Sequence, residues 1–226
     1  MREVVLDTET TGLNPSSGHR VVEIGCVELS NHVPSGSVYQ QYINPERDMP
    51  EEAFNVHGLS QKFLAGHPIF TDIVDDFLAF IGDAPLVIHN ASFDLGFLNA
   101  ELAGLQRSPL SSTHVIDTMS LAQNKFPGAR ANLNALCQRF GIDISDRSLH
   151  GALLDARLLA EVYLELVGGR QPDLELASTQ IREPNSKSFG QRQRRIRSPR
   201  PHIVSDAESV AHAELVSALK DPIWRD

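Results

Sequence analysis

The order of apolar periods along the chain is the strongest constraint on its fold. Val4-Val5-Leu6 reads as a short buried strand that runs into Asp7-Thr8-Glu9, with a turn at Gly12. Val21 to Leu29 and Val38 to Ile43 read as two further strands. Ile73, Phe77 and Phe80 then recur at helical spacing within Thr71 to Ile81, and Leu86-Val87-Ile88 follows Pro85 as a buried strand. Asn90 or Ser92 can cap the next helix, which carries Phe93, Phe97, Leu98 and Leu102. Val115-Ile116 is the last strand. Two helices follow it, about Asn132 to Phe140 and His150 to Val167, and Gly168-Gly169 stops the second. Three strands followed by alternating helices and strands imply an α/β domain on a mixed sheet.

Three segments divide the chain. Residues 1–169 hold all of these periods. Residues 170–203 are polar, rich in Ser, Gln, Arg and Pro, and lack apolar periodicity, which predicts a flexible basic linker carrying Arg192, Arg194, Arg195 and Arg197. In residues 204–226, Ser205 and Glu208 form an S-x-x-E capping box, and Ala207, Ala211, Leu215 and Ala218 repeat at helical spacing up to Pro222 and Trp224. No apolar run approaches the ~20 residues that span a bilayer. The Met-Arg-Glu start lacks a signal-peptide core, so the cytoplasm is the expected compartment and no membrane partner is expected. Cys26 and Cys137 form no CxxC and read as buried thiols.

A net charge of −9 over 226 residues runs against the basic footprint common in nucleic-acid enzymes. Carboxylates that hold divalent cations remove that objection, because the ion inverts the local charge. Asp7 and Glu9 are two apart on a strand and share a face at its carboxyl end, where open α/β sheets place their sites, though two surface acids after a strand are common. Asp155 falls on the apolar stripe of Ala152, Leu159, Val162 and Leu166, where a carboxylate needs either a paired partner or a cation. Asp94 stands in the first turn of its helix, where it either complements the helix dipole or serves a site. His150 precedes Asp155 by five residues, about 140° around a continuous helix, so the two meet only if His150 sits at the loop-to-helix junction.

Convergence of Asp7, Glu9, Asp94 and Asp155 would be costly without cations. Each like-charged pair ~4 Å apart costs about 1 kcal/mol in water and about 4 kcal/mol at an effective dielectric of 20. Two divalent cations offset four negative charges, and oxygen ligands suit Mg²⁺ or Mn²⁺ rather than Zn²⁺. Such a pair is the standard device for in-line attack on a phosphodiester, with a near-neutral histidine taking the proton from water.

The strings V-L-D-T-E-T-T-G around Asp7, H-N-A-S-F-D ending at Asp94, and H-G-A-L-L-D-A from His150 resemble the three motifs of the DEDDh 3′-5′ exonucleases, in order. The resemblance covers about the first 167 residues, and no motif position departs from the pattern. It implies a ribonuclease-H-like, five-stranded mixed sheet flanked by helices. It implies that Asp7, Glu9 and Asp155 hold two Mg²⁺ or Mn²⁺ ions, that Asp94 completes the second-ion site, and that His150 is the general base.

F-N-V-H-G-L, ending at Leu59, and the whole-chain layout resemble a narrower family, the proofreading subunits of bacterial replicative DNA polymerases. That resemblance implies a single-stranded 3′ DNA end as substrate. It assigns Glu52 and His57 to the terminal-nucleotide pocket, with Thr10 and Phe93 as further contacts; Phe93 equally suits the core. It implies that the C-terminal segment, with Leu215 and Trp224, grips the polymerase catalytic (alpha) subunit. A sliding-clamp motif would begin at Gln180 or Gln191, and neither is followed by a Leu-x-Phe pattern. The competing readings are a DEDDh enzyme that trims RNA or short oligonucleotides, and a polymerase-stabilising module with secondary catalysis.

Overall fold

The computed structural model describes residues 1–145, 149–169 and 204–218. The chain divides into two units, Met1–Leu176 and Ala177–Asp226. In the first unit β1 (Arg2–Thr10), β2 (Val21–Ser30) and β3 (Val33–Tyr42) form an antiparallel meander. β4 (Leu86–Ile88) and β5 (Val115–Asp117) add to it in parallel, giving a five-stranded sheet of order β3-β2-β1-β4-β5. This is the expected mixed sheet.

β1 and β3 are longer than their apolar runs. β1 continues through Asp7 to Thr10 because β2 pairs with it as far as Thr10↔Val21. The first half of β3 is an exposed edge whose residues carry no buried face, so no alternation announces it.

Helices cover both faces. α1 (Glu51–His57), α2 (Gln61–Leu64) and α3 (Phe70–Ile81) precede β4, and α4 (Ala91–Gly104) follows it. α5 (Thr118–Lys125), α6 (Leu133–Phe140) and α7 (Ala152–Leu166) follow β5. Among the described residues of this unit three helices therefore follow the last strand, not two. α5 was silent because it buries only Thr118 and Ala122, and α1 because it buries only Ala53 and His57. Asn90 occupies the N-cap of α4 but makes no side-chain cap bond. Its backbone is left-handed (φ 63°, ψ 56°), which turns the chain sharply from β4 into α4, and Asn tolerates that conformation better than most residues.

The pleat of β1 splits the core. Val4 and Leu6 face α3 and α4 and pack with Phe77, Phe97 and Leu98, while Val5 faces the other layer with Ala122, Leu136 and Leu159. Each fully buried Val, Leu or Phe among them contributes about 1.5–3 kcal/mol. Pairing between β1 and β4 covers only Val4↔Leu86 and Val5↔Val87, whereas β2 accompanies β1 to its end. The sheet therefore opens beyond Val5. Asp7 to Thr10 border the crevice at the carboxyl ends of β1 and β4, where strand order reverses.

In the second unit, α8 (Asp206–Ala218) begins with the expected capping box: Ser205 N and Oγ donate to Glu208 Oε2 (2.9 and 2.8 Å), and Glu208 N donates to Ser205 Oγ (3.3 Å). Leu215 lies on this helix and is exposed. Residues 170–203, Pro222 and Trp224 lie outside the described residues. Among the described residues no helix is long and apolar enough to cross a membrane.

Candidate active site

The alternation of β1 sends its acids one way and its hydroxyl the other. Asp7 and Glu9 continue the face of Val5, toward α7, and Thr8 continues the face of Leu6, toward α4. Glu9 is buried, Asp7 half-buried, and both line a cavity of about 290 Å³. Thr8 Oγ1 donates to Asp94 Oδ1 at 2.7 Å. Asp94 is buried in the first turn of α4 and borders the same cavity. Burial pushes its carboxyl up to about 7; the Thr8 hydroxyl and nearby backbone amides pull the other way and do not prevail.

α7 brings the third part. Asp155 interrupts its apolar stripe as expected and is buried, with its backbone N–H donating to Gly151 O at 2.8 Å. The helix approaches this closely because Gly25 stands beneath it. A Cβ at Gly25 would lie 2.2 Å from Ala152 C and from Leu153 N, and Gly25 is the β2 partner of Asp7. Glu23, two residues earlier on β2, accepts the Ala152 N–H on Oε2 at 3.1 Å and so supplies the N-terminal cap that Gly151 cannot.

His150 sits two residues before α7 begins, at the junction the spacing required. Its backbone N–H donates to Val56 O of α1 (3.1 Å), and its Nδ1 lies 3.2 Å from Asp155 Oδ2. One donor atom each from Glu9, His150 and Asp155 fall within 4.8 Å of one another. All five acid and histidine positions singled out in the three motifs therefore border one cavity. Three carboxylates beside a fourth that burial holds partly protonated are a donor set that gains from positive charge, and hard divalent cations fit it.

A second, more apolar cavity of about 500 Å³ adjoins the first through Thr8, Glu9 and Phe93. Leu13, Ala53, Val56 and His57 line it, together with Thr10 and Glu52. Glu52 lies in the first turn of α1 and is exposed. His57 ends that helix ahead of the left-handed Gly58; its Nδ1 accepts the Leu59 N–H at 3.0 Å, and Nε2 is buried without a closed hydrogen bond. Burial holds the His57 imidazole below its ordinary pKa, against the backbone of Thr10 and with help from His150, so the ring is neutral near pH 7. Thr10 Oγ1 donates to Gly12 O at 2.6 Å. Phe93 serves both readings made of it: it borders both cavities and packs on Phe97 with ring centroids 5.0 Å apart.

Sequence reasoning missed His89, Asn132 and Asn134, which border the first cavity, and Leu13, which borders the second. His89 was within the H-N-A-S-F-D string, and its Nδ1 lies 2.9 Å from Thr118 Oγ1. Asn132 read only as the start of α6, which it caps by accepting from Ala135 N. Leu13 carried no signal beyond its place after Gly12.

Residues 4–163 match the family model described as "Exonuclease". The chain is 56% identical over 179 residues to DNA polymerase III subunit epsilon of Rickettsia prowazekii, covering 78% of each chain. It is 47% identical over 176 residues to that of Escherichia coli K12, covering 75% of this chain and 72% of the relative. Its fold matches the nuclease domain of 3'hExo, a DEDDh family member bound to rAMP, with a TM-score of 0.64 at 21% identity over 74% of this chain and 91% of that one. Exonuclease X in complex with 5′ overhanging duplex DNA gives a TM-score of 0.58 at 24% identity, over 73% and 90%. A family match across most of the chain, and identities near one half with relatives of similar length, place the protein in the exonuclease family and, within it, among the epsilon subunits of DNA polymerase III.

Proposed function

We propose that the protein is a divalent-cation-dependent 3′-5′ exonuclease that proofreads a single-stranded 3′ DNA end for a replicative polymerase. The observation that carries this reading is the meeting of Asp7, Glu9, Asp94, Asp155 and His150 at the open end of the sheet, beside an apolar cavity of about 500 Å³. That volume lies within the range of about 300–1,000 Å³ typical of small-ligand sites.

Asp7, Glu9 and Asp155 would hold two Mg²⁺ or Mn²⁺ ions directly, with Asp94 completing the second site. When bound, such ions supply Lewis-acid stabilisation of the phosphoryl group and a water acidic enough to attack it. The protein does the rest. Leu13, Val56 and Phe93 offer apolar surface to the terminal base, and stacking of this kind tolerates any base. Neutral His57 and Glu52 border the same pocket and orient the terminal nucleotide. Seating one base there requires that it leave its partner strand, which favours frayed or single-stranded ends. His150 is partly exposed, with Nδ1 3.2 Å from Asp155 Oδ2, and its imidazole would take the proton from the attacking water. The product is a nucleoside 5′-monophosphate.

Relatives named as polymerase subunits, together with the capped α8, support a role for the C-terminal segment in gripping the polymerase catalytic (alpha) subunit. Hydrolysis of 3′-labelled single-stranded DNA and RNA, with Mg²⁺ or Mn²⁺ and with a chelator, tests the activity. Cation-dependent release of labelled mononucleotide from DNA is the expected result. Equal rates on RNA would favour the oligonucleotide-trimming reading, and chelator-resistant activity would overturn the cation assignment.

A further inference from the structure

We propose that Glu23 is a positioning residue, a buried brace that sets the first turn of α7 and through it His150 and Asp155. This rests on the cation-site reading of that cavity. Glu23 is 2% exposed and lies directly across from Glu9 on the neighbouring strand, on the same face of the sheet. A carboxylate so close to the cavity reads at first as a further ligand. Its oxygens are already committed: Oε1 accepts from Gln40 Nε2 at 2.8 Å, and Oε2 accepts from Ala152 N at 3.1 Å. Its anion stands at the N-terminus of a 15-residue helix, where unsatisfied amides and the helix dipole favour negative charge.

The geometry makes this brace directional. Gly25 lets α7 descend onto β2, and Glu23 fixes where along β2 it stops. Ala152, the residue it holds, lies between His150 and Asp155. At the far end Lys125 Nζ donates to Leu166 O and Glu165 O (2.9 and 3.2 Å), so α7 is pinned at both ends, but only the Glu23 pin lies beside His150 and Asp155, which line the cavity. Groups that orient the ligands of a metal site from behind typically matter by 10–100-fold in metal affinity.

The test compares Glu23→Ala, Glu23→Gln and Lys125→Ala by calorimetric Mn²⁺ titration, thermal melting and amide hydrogen exchange at Ala152. Glu23→Gln keeps an oxygen for Ala152 N, and Gln40 can turn its amide to accept from the new NH₂ group. Glu23→Ala is expected to weaken Mn²⁺ binding by about tenfold or more and to speed exchange at Ala152. Glu23→Gln should restore most of both. Lys125→Ala should lower the melting temperature and leave Mn²⁺ affinity unchanged. Wild-type affinity in Glu23→Ala overturns the brace. So does a loss in Glu23→Gln as large as in Glu23→Ala, which would make the charge itself the active feature. An equal loss in Lys125→Ala also overturns it, because general loosening of α7 would then suffice. A wild-type protein that binds no Mn²⁺ defeats the cation reading instead, and is told apart because exchange at Ala152 still reports the brace.

Discussion

Nδ1 of His150 lies 3.2 Å from Oδ2 of Asp155, although the two are five residues apart and would not share a face of one helix. The contact exists because α7 starts at Ala152 and leaves His150 in the preceding loop, tied by its N–H to Val56 O. The closeness suits a proton acceptor and also suits a ligand. As the general base, His150 should act on the chemical step rather than on cation binding. His150→Ala should slow hydrolysis by about 10²–10⁴-fold while sparing Mn²⁺ affinity. Equal losses of rate and affinity would make His150 a ligand.

Gly25 should tolerate no side chain. The methyl group of Gly25→Ala would meet backbone atoms of Ala152 and Leu153, which cannot swing aside as a flexible side chain can. α7 must lift from β2, at a cost of about 1–3 kcal/mol for overpacking. Activity should fall more steeply than stability, because the shift acts at Asp155. Thermal melting and a single-turnover rate on labelled DNA separate the two, and equal wild-type values in both would show that the helix has room to spare.

Asp94 should make the stability of the cation-free protein depend on pH. Its folded pKa is raised by burial to about 7 from an ordinary 3.8, so folding takes up a proton between those values. The stability it contributes is fully present below about pH 4 and is lost as pH rises through about 7. Thermal melts in chelator should therefore show the Asp94→Asn variant gaining on wild type between about pH 5 and pH 8. An unchanged difference across that range would contradict the buried, protonated state.

The two ends of the chain should be separable. A chain ending at Gly169 retains all five strands of the described sheet and both halves of the core. It should degrade single strands at close to the full-length rate and no longer co-elute with the polymerase catalytic subunit. Trp224→Ala in the full chain should weaken that association by about 2 kcal/mol if Trp224 is an interface hot spot. Undiminished binding by the truncated chain would remove the C-terminal segment from the interface.

Asp155 alone broke a local rule; Asp7, Glu9 and Asp94 became legible together with it, through the three motifs that they share. Asp155 stood on an apolar stripe, and Asp7 and Glu9 extended a buried strand; the structure brings all three to one cavity. The mixed α/β sheet followed from the alternation of periods, and its strand order came only with the structure. Gly25 and Glu23 were not legible, because their roles depend on what rests against β2 from 129 residues away in the chain. α1 and α5 were silent for a simpler reason: a helix with two buried residues writes almost no period. Leu13 shows the same limit at a surface, where one exposed apolar residue in a loop has no pattern to break.

The central claim is that these carboxylates hold the catalytic cations, and a Mn²⁺ titration of the wild type beside an Asp7→Asn, Asp155→Asn double variant tests it most directly. Each single replacement, tested as Asp7→Ala or Asp155→Ala, should already lower turnover by several decades, each worth about 1.4 kcal/mol of barrier. In the titration the wild type should take up two ions per chain and rise in melting temperature by mass action, and the double variant should do neither. Equal uptake and an equal rise in both proteins would contradict the account.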